Sequence, residues 1–293
     1  MRAFVIGNVA LDETVTVADL PALGASIHGQ AGLRDLGGKG ANQAVVLGRA
    51  GLSCRFGAAV GDDARAAEIR SRLAAEPIDI RLDPVSGVGS DFSIILRTRS
   101  GENAIITTNA AALGLTPQAA CAVLAGAQPG DLLVMQGNLS EATTMATLQQ
   151  GRTMGLRTAL NPSPLRAFFG GLWPLVDLAF VNAGEAATLG GTGALLASGV
   201  AQVVLTLGPA GARLLSAGQA AFVPAQACTV VDTTGAGDCF MATALASAAL
   251  RGVILDARAL RHAAAAAAIT VSRSGTGAAL PTQAELARIL TQG

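Results

Sequence analysis

The stretch 230-VVDTTGAGDCFMATAL-245 puts two valines and an aspartate ahead of a glycine-rich turn, with an alanine-rich apolar run behind it. This order predicts a strand ending at Asp232, a turn with glycines at 235 and 237, and a helix beginning near Asp238. A helix start leaves backbone N–H groups unpaired at the positive end of the helix dipole, and glycines let an anion come close to that backbone. A carboxylate at Asp238 stands beside such an anion site. There it can take a proton from a hydroxyl as phosphate charge develops next to it. The same residues also make an ordinary helix start capped by aspartate. Alone, the stretch decides only a strand–turn–helix unit.

Working outward, that unit recurs. Short β-branched runs, 3-AFVIGNV-9, 54-CRFGAAVG-61, 131-DLLVMQGN-138, 157-RTALNPSP-164, 178-LAFVNA-183 and 202-QVVLTLG-208, alternate with turns and helical patterns. The latter include 43-QAVVLGRAG-51, 64-ARAAEIRSRLAAE-76 with Asp62 and Asp63 as caps, and 118-QAACAVLAGA-127 opened by Thr116-Pro117. Alternation of this kind predicts α/β layering on a mostly parallel sheet. Two segments break it. Residues 12–36 carry ETVTV and SIHGQAGLRDL with no helix between, and residues 91–108 read as a hairpin around Ser100-Gly101. Together they predict a small inserted β-sheet, a lid or a dimer surface.

Composition narrows the function classes. The 293 residues suffice for one large core or two modest ones, and 20 basic residues balance 20 acidic ones. No net field draws such a chain to nucleic acid or an anionic membrane. The opening apolar run reaches Asp12 quickly and suits a buried first strand rather than a signal peptide, and the run 263-AAAAAAITV-271 is too short to span a bilayer. Four cysteines without paired or metal-like spacing fit a reduced, cytoplasmic location.

A second glycine turn, 37-GGKGAN-42, holds the only lysine of the chain; the other 19 basic residues are arginines. A phosphate-cradling P-loop needs four residues between two glycines and a Ser or Thr after the lysine. This turn has neither, and no strand leads tightly into it. Its glycines allow close backbone approach, while Lys39 and Asn42 offer donors suited to the hydroxyls of a small polar ligand.

With both turns and the pieces between them in order, the chain resembles the ribokinase family, the PfkB-type carbohydrate kinases, over essentially its whole length. GGKGANQAVVLGRAG and DTTGAGDCFMATAL look like the family's two signatures, and LNPSP, VNAGEAATL and TLGPAGA fall between them in the family's order. The resemblance implies one catalytic domain over 1–293. Its fold would be a three-layer α/β/α sandwich with a mostly parallel central sheet and a small β-sheet lid, formed by about 12–36 and 91–108.

It also implies roles. Asp238 matches the family's base, and the backbone of Gly235, Ala236 and Gly237 its anion hole. Asp12, Gly38, Lys39, Asn42 and Asn138 fall where the family binds the sugar. Asn182 and Glu185 fall near the phosphates and Mg²⁺, where an ion that keeps several waters is held through its hydration shell. Thr206, Gly208 and Gly211 look like the nucleotide loop. Many family members also hold a monovalent cation such as K⁺; Asp232 matches its side-chain ligand, and the carbonyls of Thr234, Thr270, Arg273 and Gly275 its backbone ligands. Cys239 reads as a small buried residue rather than a nucleophile, and His262 as a helix residue without an adenine contact.

The implied activity is ATP-dependent phosphorylation of a hydroxyl on a small sugar, with ATP and Mg²⁺ as cofactors and a homodimer through the lid. A nucleoside kinase is the alternative, and a sugar-binding protein without catalysis a more distant one. Two departures bear on the acceptor. Members that phosphorylate ribose have an asparagine where this chain has Ala10 and a glutamate where it has Asn138. A buried hydroxyl left unpaired costs on the order of 1–3 kcal/mol, enough to shift specificity by one or two decades. Asn8, at even spacing from Ala10 on the same strand, is placed to compensate.

Overall fold

The computed structural model describes residues 1–98 and 103–292. The expected hairpin turn at Ser100-Gly101 lies outside the described residues. Among those residues nine strands form one sheet, in the spatial order Gln219–Val223, Ala212–Ser216, Gln202–Thr206, Leu178–Asn182, Arg157–Asn161, Leu132–Gln136, Ala3–Ile6, Cys54–Val60 and Asp79–Pro84. Ala212–Ser216 runs antiparallel to both of its neighbours, Gln219–Val223 and Gln202–Thr206, and every other neighbouring pair is parallel.

Strand Ala3–Ile6 shows why both faces are covered. Ala3 and Val5 join one core, with Leu47, Met241, Leu245 and Leu260 from the helices Lys39–Arg49, Ala236–Arg251 and Ala257–Val271. Phe4 and Ile6 point the other way into a second core with Leu124, Leu148, Trp173 and Leu195. All four strand residues are fully buried, so the run is continuously apolar, as a strand covered on both faces must be. The result is the expected three-layer sandwich.

Four further strands, in the order Gln30–Gly37, Ala10–Val17, Phe92–Thr98 and Asn103–Thr107, make the small second sheet. They fall within the two segments that broke the alternation, except that Ala10–Val17 begins and Gln30–Gly37 ends just outside the expected 12–36.

Several local expectations shift. No strand precedes the glycine turn at 235–237. Instead the N–H groups of Val231 and Asp232 both donate to the carbonyl of Val271, so the segment lies against the end of a helix and leaves Val230 and Val231 exposed. The helix after the turn begins at Ala236, two residues early, with Gly235 as cap at φ 75°. Likewise Lys39 already belongs to its helix, capped by Gly38 at φ 93°. Asp63 caps Ala64–Ala74 by accepting from Ala66 N; Asp62 has no such bond. The helix opened by Thr116 is only Pro117–Ala122. Cys54, Cys121, Cys228 and Cys239 are free, and among the described residues no helix is long and apolar enough to cross a membrane.

Candidate active site

The strand order reverses between Ala3–Ile6 and Leu132–Gln136, and in such sheets the crevice beyond the strand ends at the reversal is where ligands bind. Gly7 follows the first strand and Gln136 ends the second. A side chain on Gly7 would collide with Gln136 Oε1. Against this exit the helix Lys39–Arg49 starts unusually close. A Cβ on Gly38 would lie 2.7 Å from Val9 Cα, and one on Gly40 2.8 Å from the Asn8 carbonyl oxygen. The glycines of GGKGAN thus serve close packing of a helix start on a strand exit.

That packing carries Asn42 and Gln43 to Asp238. Asn42 Nδ2 donates to Asp238 Oδ2 at 3.1 Å, and Gln43 Nε2 donates to Oδ1 at 2.9 Å. Gln43 Oε1 in turn accepts from Gln136 Nε2 at 2.7 Å, and all four residues are buried. Both carboxylate oxygens are therefore held by amide donors, so the group is fixed in orientation without a cation on it.

The backbone beside it is arranged as the sequence implied, with one change. Ala236 N–H is engaged by the Thr233 carbonyl at 3.3 Å. The N–H groups of Gly235, Gly237 and Asp238 have no partner among the described residues, as expected of a helix's first turn. These three, not the 235–237 set, are the free donors.

A cavity of about 400 Å³ opens here. Lys39, Asn182, Glu185, Thr206, Thr234, Gly235, Gly237 and Asp238 line it, joined by Asn161, Ser163, Phe180, Thr233, Met241 and Ile105 of the lid. A larger hollow of about 1290 Å³ lies at the opposite ends of the strands, beside Asp177 and Asp256. Asp177 and Asp256 there are paired with Arg152 and Arg251, and the hollow has no share in the crevice.

The other implied residues divide. Asp12 is buried in the lid and accepts from Thr276 Oγ1 at 2.6 Å; it does not line the cavity. Burial pushes its pKa up, against hydrogen bonds from Thr276 and Ser93, and the carboxylates of Asp35 and Asp238 add to the rise. Ala10 is fully buried and pairs with Gly37 across the lid strands. Asn8 uses its side-chain oxygen to accept from Gly40 N at 3.4 Å, so that oxygen is engaged within the fold. Asn138 Oδ1 is buried with no partner among the described residues.

Asn182 and Glu185 form a reciprocal capping box at the helix Ala183–Thr188, at 2.8 and 2.9 Å. Gly211, at φ 110°, has no room for a side chain because Val223 O would be struck, whereas Gly208 faces open space. Cys239 is fully buried and its thiol is pushed up to about 11, which fits a packing residue and no nucleophile.

Two implied ions meet different donor sets. Among the described residues no cluster of three metal-type side chains exists. One carboxylate, Glu185, with Asn182 at the cavity rim still suits Mg²⁺, which favours few protein ligands and several waters. The monovalent set does not fit as well. Asp232 Oδ1 accepts from Thr234 N and Oγ1 at 3.0 and 2.7 Å, and Oδ2 lies 3.1 Å from Arg97 Nη2. The carbonyl of Thr270 accepts from Arg273 N at 3.2 Å.

The signature that defines the pfkB family carbohydrate kinases matches residues 4–283 of this chain. The chain belongs to that family. Among curated pfkB relatives it is 30% identical to the ribokinase of Bacillus subtilis (strain 168), with 98% of each chain covered. It is 28% identical to the ribokinase of Haemophilus influenzae, covering 98% of this chain and 97% of the other. A solved ribokinase structure from Giardia lamblia superposes with a TM-score of 0.87 at 28% identity, over 99% of both chains.

Sequence reasoning missed Gln43, Gln136, Thr276 and Arg97. Gln43 stood inside the first signature but at a position indistinguishable from a solvated helix residue. The other three are brought in by packing across more than 90 residues, which no local pattern signals.

Proposed function

We propose that this protein transfers the γ-phosphoryl group of ATP to a hydroxyl of a small sugar, with Asp238 as the base. The observation that carries the reading is the Asp238 carboxylate, clamped by Asn42 and Gln43 at a helix N-terminus where the N–H groups of Gly235, Gly237 and Asp238 are free among the described residues. Acceptor hydroxyl, base and anion site meet there within one turn of helix. The acceptor proton passes to Asp238 as the hydroxyl oxygen attacks phosphorus, while Gly235, Gly237 and Asp238 N–H receive the equatorial charge. Mg²⁺, when bound with ATP, neutralises phosphate charge; Glu185 and Asn182 would hold it through water. Thr206 lines the side of the cavity where the nucleotide would bind, with the turn at Gly208 just beyond it.

On the acceptor side, Lys39 reaches the cavity from the same helix turn as Asn42. The unpartnered Oδ1 of Asn138 is an acceptor that a sugar hydroxyl would satisfy. The lid contributes Ile105 to the cavity wall and buries Asp12 beside it, so that closure excludes water and limits ATP hydrolysis. The protein works in the cytoplasm, which free cysteines suit, and pairs with a second copy through the lid's exposed face.

The test is ADP release from ATP and Mg²⁺ against pentoses, hexoses, ketoses and nucleosides. Acceptor-dependent ADP formation with one sugar class is expected. A preference for nucleosides would move the reading to that branch, and no acceptor-dependent ADP with any of them would overturn it.

A further inference from the structure

Arg97 stands on the lid strand Phe92–Thr98, opposite Thr16 on one side. Its Nη2 donates to the Val231 carbonyl at 2.8 Å and lies 3.1 Å from Asp232 Oδ2. Both side chains are largely withdrawn from solvent, at 23% and 13% exposure, so the pair is less screened than a surface one. The other carboxylate oxygen is taken by Thr234, one residue before the glycine that caps the anion-site helix. Asp232 therefore has partners from within the chain on both of its oxygens, with one positive charge among them. The Thr270 carbonyl is turned onto Arg273 N, and the 231–232 backbone is tied to Val271. A family ion at this place would have to displace the guanidinium and would leave it beside a second cation.

We propose that Arg97 replaces the monovalent cation in this protein, and that phosphoryl transfer here is independent of K⁺. The guanidinium neutralises Asp232 and fixes the 231–234 segment, and through it the entry to Gly235. Arg97 is a positioning residue: it lies one residue removed from the free N–H groups and acts on them through Asp232 and Thr234. Because it belongs to the lid, it also ties the lid sheet to the anion-site loop, a link a diffusible ion cannot make. A planar guanidinium suits the task because one nitrogen reaches a carbonyl and a carboxylate together.

The activity arm of the test rests on the kinase reading; the melting arm does not. Wild type, Arg97→Met and Arg97→Lys are compared in KCl and in tetramethylammonium chloride at equal ionic strength, so that screening is constant. For wild type, equal kcat and equal melting temperature in the two salts are expected. Arg97→Met should lose kcat by about tenfold in tetramethylammonium, the usual scale for a residue supporting a charged site. Added K⁺ should then restore kcat saturably and raise its melting temperature, while Arg97→Lys stays insensitive. A saturable K⁺ activation or stabilisation of wild type would overturn the proposal, as would an Arg97→Met protein that matches wild type in tetramethylammonium. Should no acceptor support turnover, the kinase reading fails by itself, and the melting comparison still decides the cation question. If Arg97→Met does not fold, the wild-type and Arg97→Lys measurements carry the same decision.

Discussion

In the proposed mechanism the Asp238 carboxylate has to be aimed at the acceptor hydroxyl, and the residues around it do the aiming. Asn42 and Gln43 aim it, and Gln136 orients Gln43 by taking up its amide oxygen. Replacing Asp238 with Asn keeps shape and both amide neighbours near but removes the proton acceptor. Turnover should fall by roughly 10³-fold, the middle of the usual range for a general base, with acceptor affinity largely kept. Steady-state rates and acceptor titration by calorimetry check this; near-normal turnover would sink the mechanism. Lys39 makes a finer case. Its helix cannot slide to admit a larger head, because Gly38 and Gly40 already sit against Val9 and Asn8. Lys39→Arg should therefore raise KM for the acceptor by about tenfold, on the scale of one charged hydrogen bond, with KM for ATP nearly unchanged. Equal rises in both constants would remove Lys39 from the acceptor side. Asp238 was legible only through the order of both glycine turns and the pieces between them, because Gly-Ala-Gly-Asp alone also makes an ordinary helix start. The clamp on it was not, since Gln43 acquires meaning only when two helix starts 195 residues apart converge.

At the scale of elements, strands and helices were legible wherever the apolar period was uninterrupted. The failure was the segment before the glycine turn, where Val230 and Val231 have strand propensity but no sheet edge beside them. Their backbone partner is the end of Ala257–Val271 instead. Propensity proposes a strand; only a neighbour makes one. The helix pair Ala236–Arg251 and Ala257–Val271 carries a pH test. His262 is buried between Ser247 Oγ, 2.8 Å from Nδ1, and the Gln292 carbonyl, 2.9 Å from Nε2. A carbonyl only accepts, so Nε2 bears the proton and Nδ1 accepts from Ser247. Burial lowers the His262 pKa below its ordinary 6.5, with nearby Arg258, Arg251 and Arg261 acting in the same direction. The folded state therefore binds that proton less readily than the unfolded chain. Its contribution is present above pH 6.5 and is lost as pH falls below that value. Glu285 and Asp256, held down to about 2 by Arg273 and Arg251, add their losses only at more acidic pH. Urea midpoints should thus decline between pH 7.5 and 5.5, an interval set about the ordinary histidine pKa, and His262→Gln should flatten that decline. An unchanged slope in the variant would assign the decline elsewhere.

Across the whole molecule, the lid is joined to the body through a few polar ties. Asp35 accepts from Thr276 N and Ala278 N at 3.1 and 2.7 Å, Asp12 accepts from Thr276, and Arg97 holds Asp232. Its position follows from the sheet's own alternation: Ile105 faces the cavity, so its neighbour Ile106 faces outward, 64% exposed. Strand Gln30–Gly37, at one edge of the lid sheet, is exposed along its first five residues, and Leu33 within it is half exposed. An edge strand with apolar side chains and open backbone groups is a pairing surface unless something covers it. The lid was legible as two stretches lacking helices, yet its outward face was not, because facing depends on which side the body takes. If a second copy covers that face, sedimentation should give twice the 29.1 kDa mass. Ile106→Asp should then yield monomers, since a carboxylate buried without a partner costs several kcal/mol. The same variant should raise the acceptor KM, because the strand bearing Ile105 loses its support, while the KM for ATP, proposed to bind on the Thr206 and Glu185 side of the cavity, stays nearly unchanged. A wild-type protein that sediments as a monomer at all working concentrations would leave the lid to close on its polar ties alone.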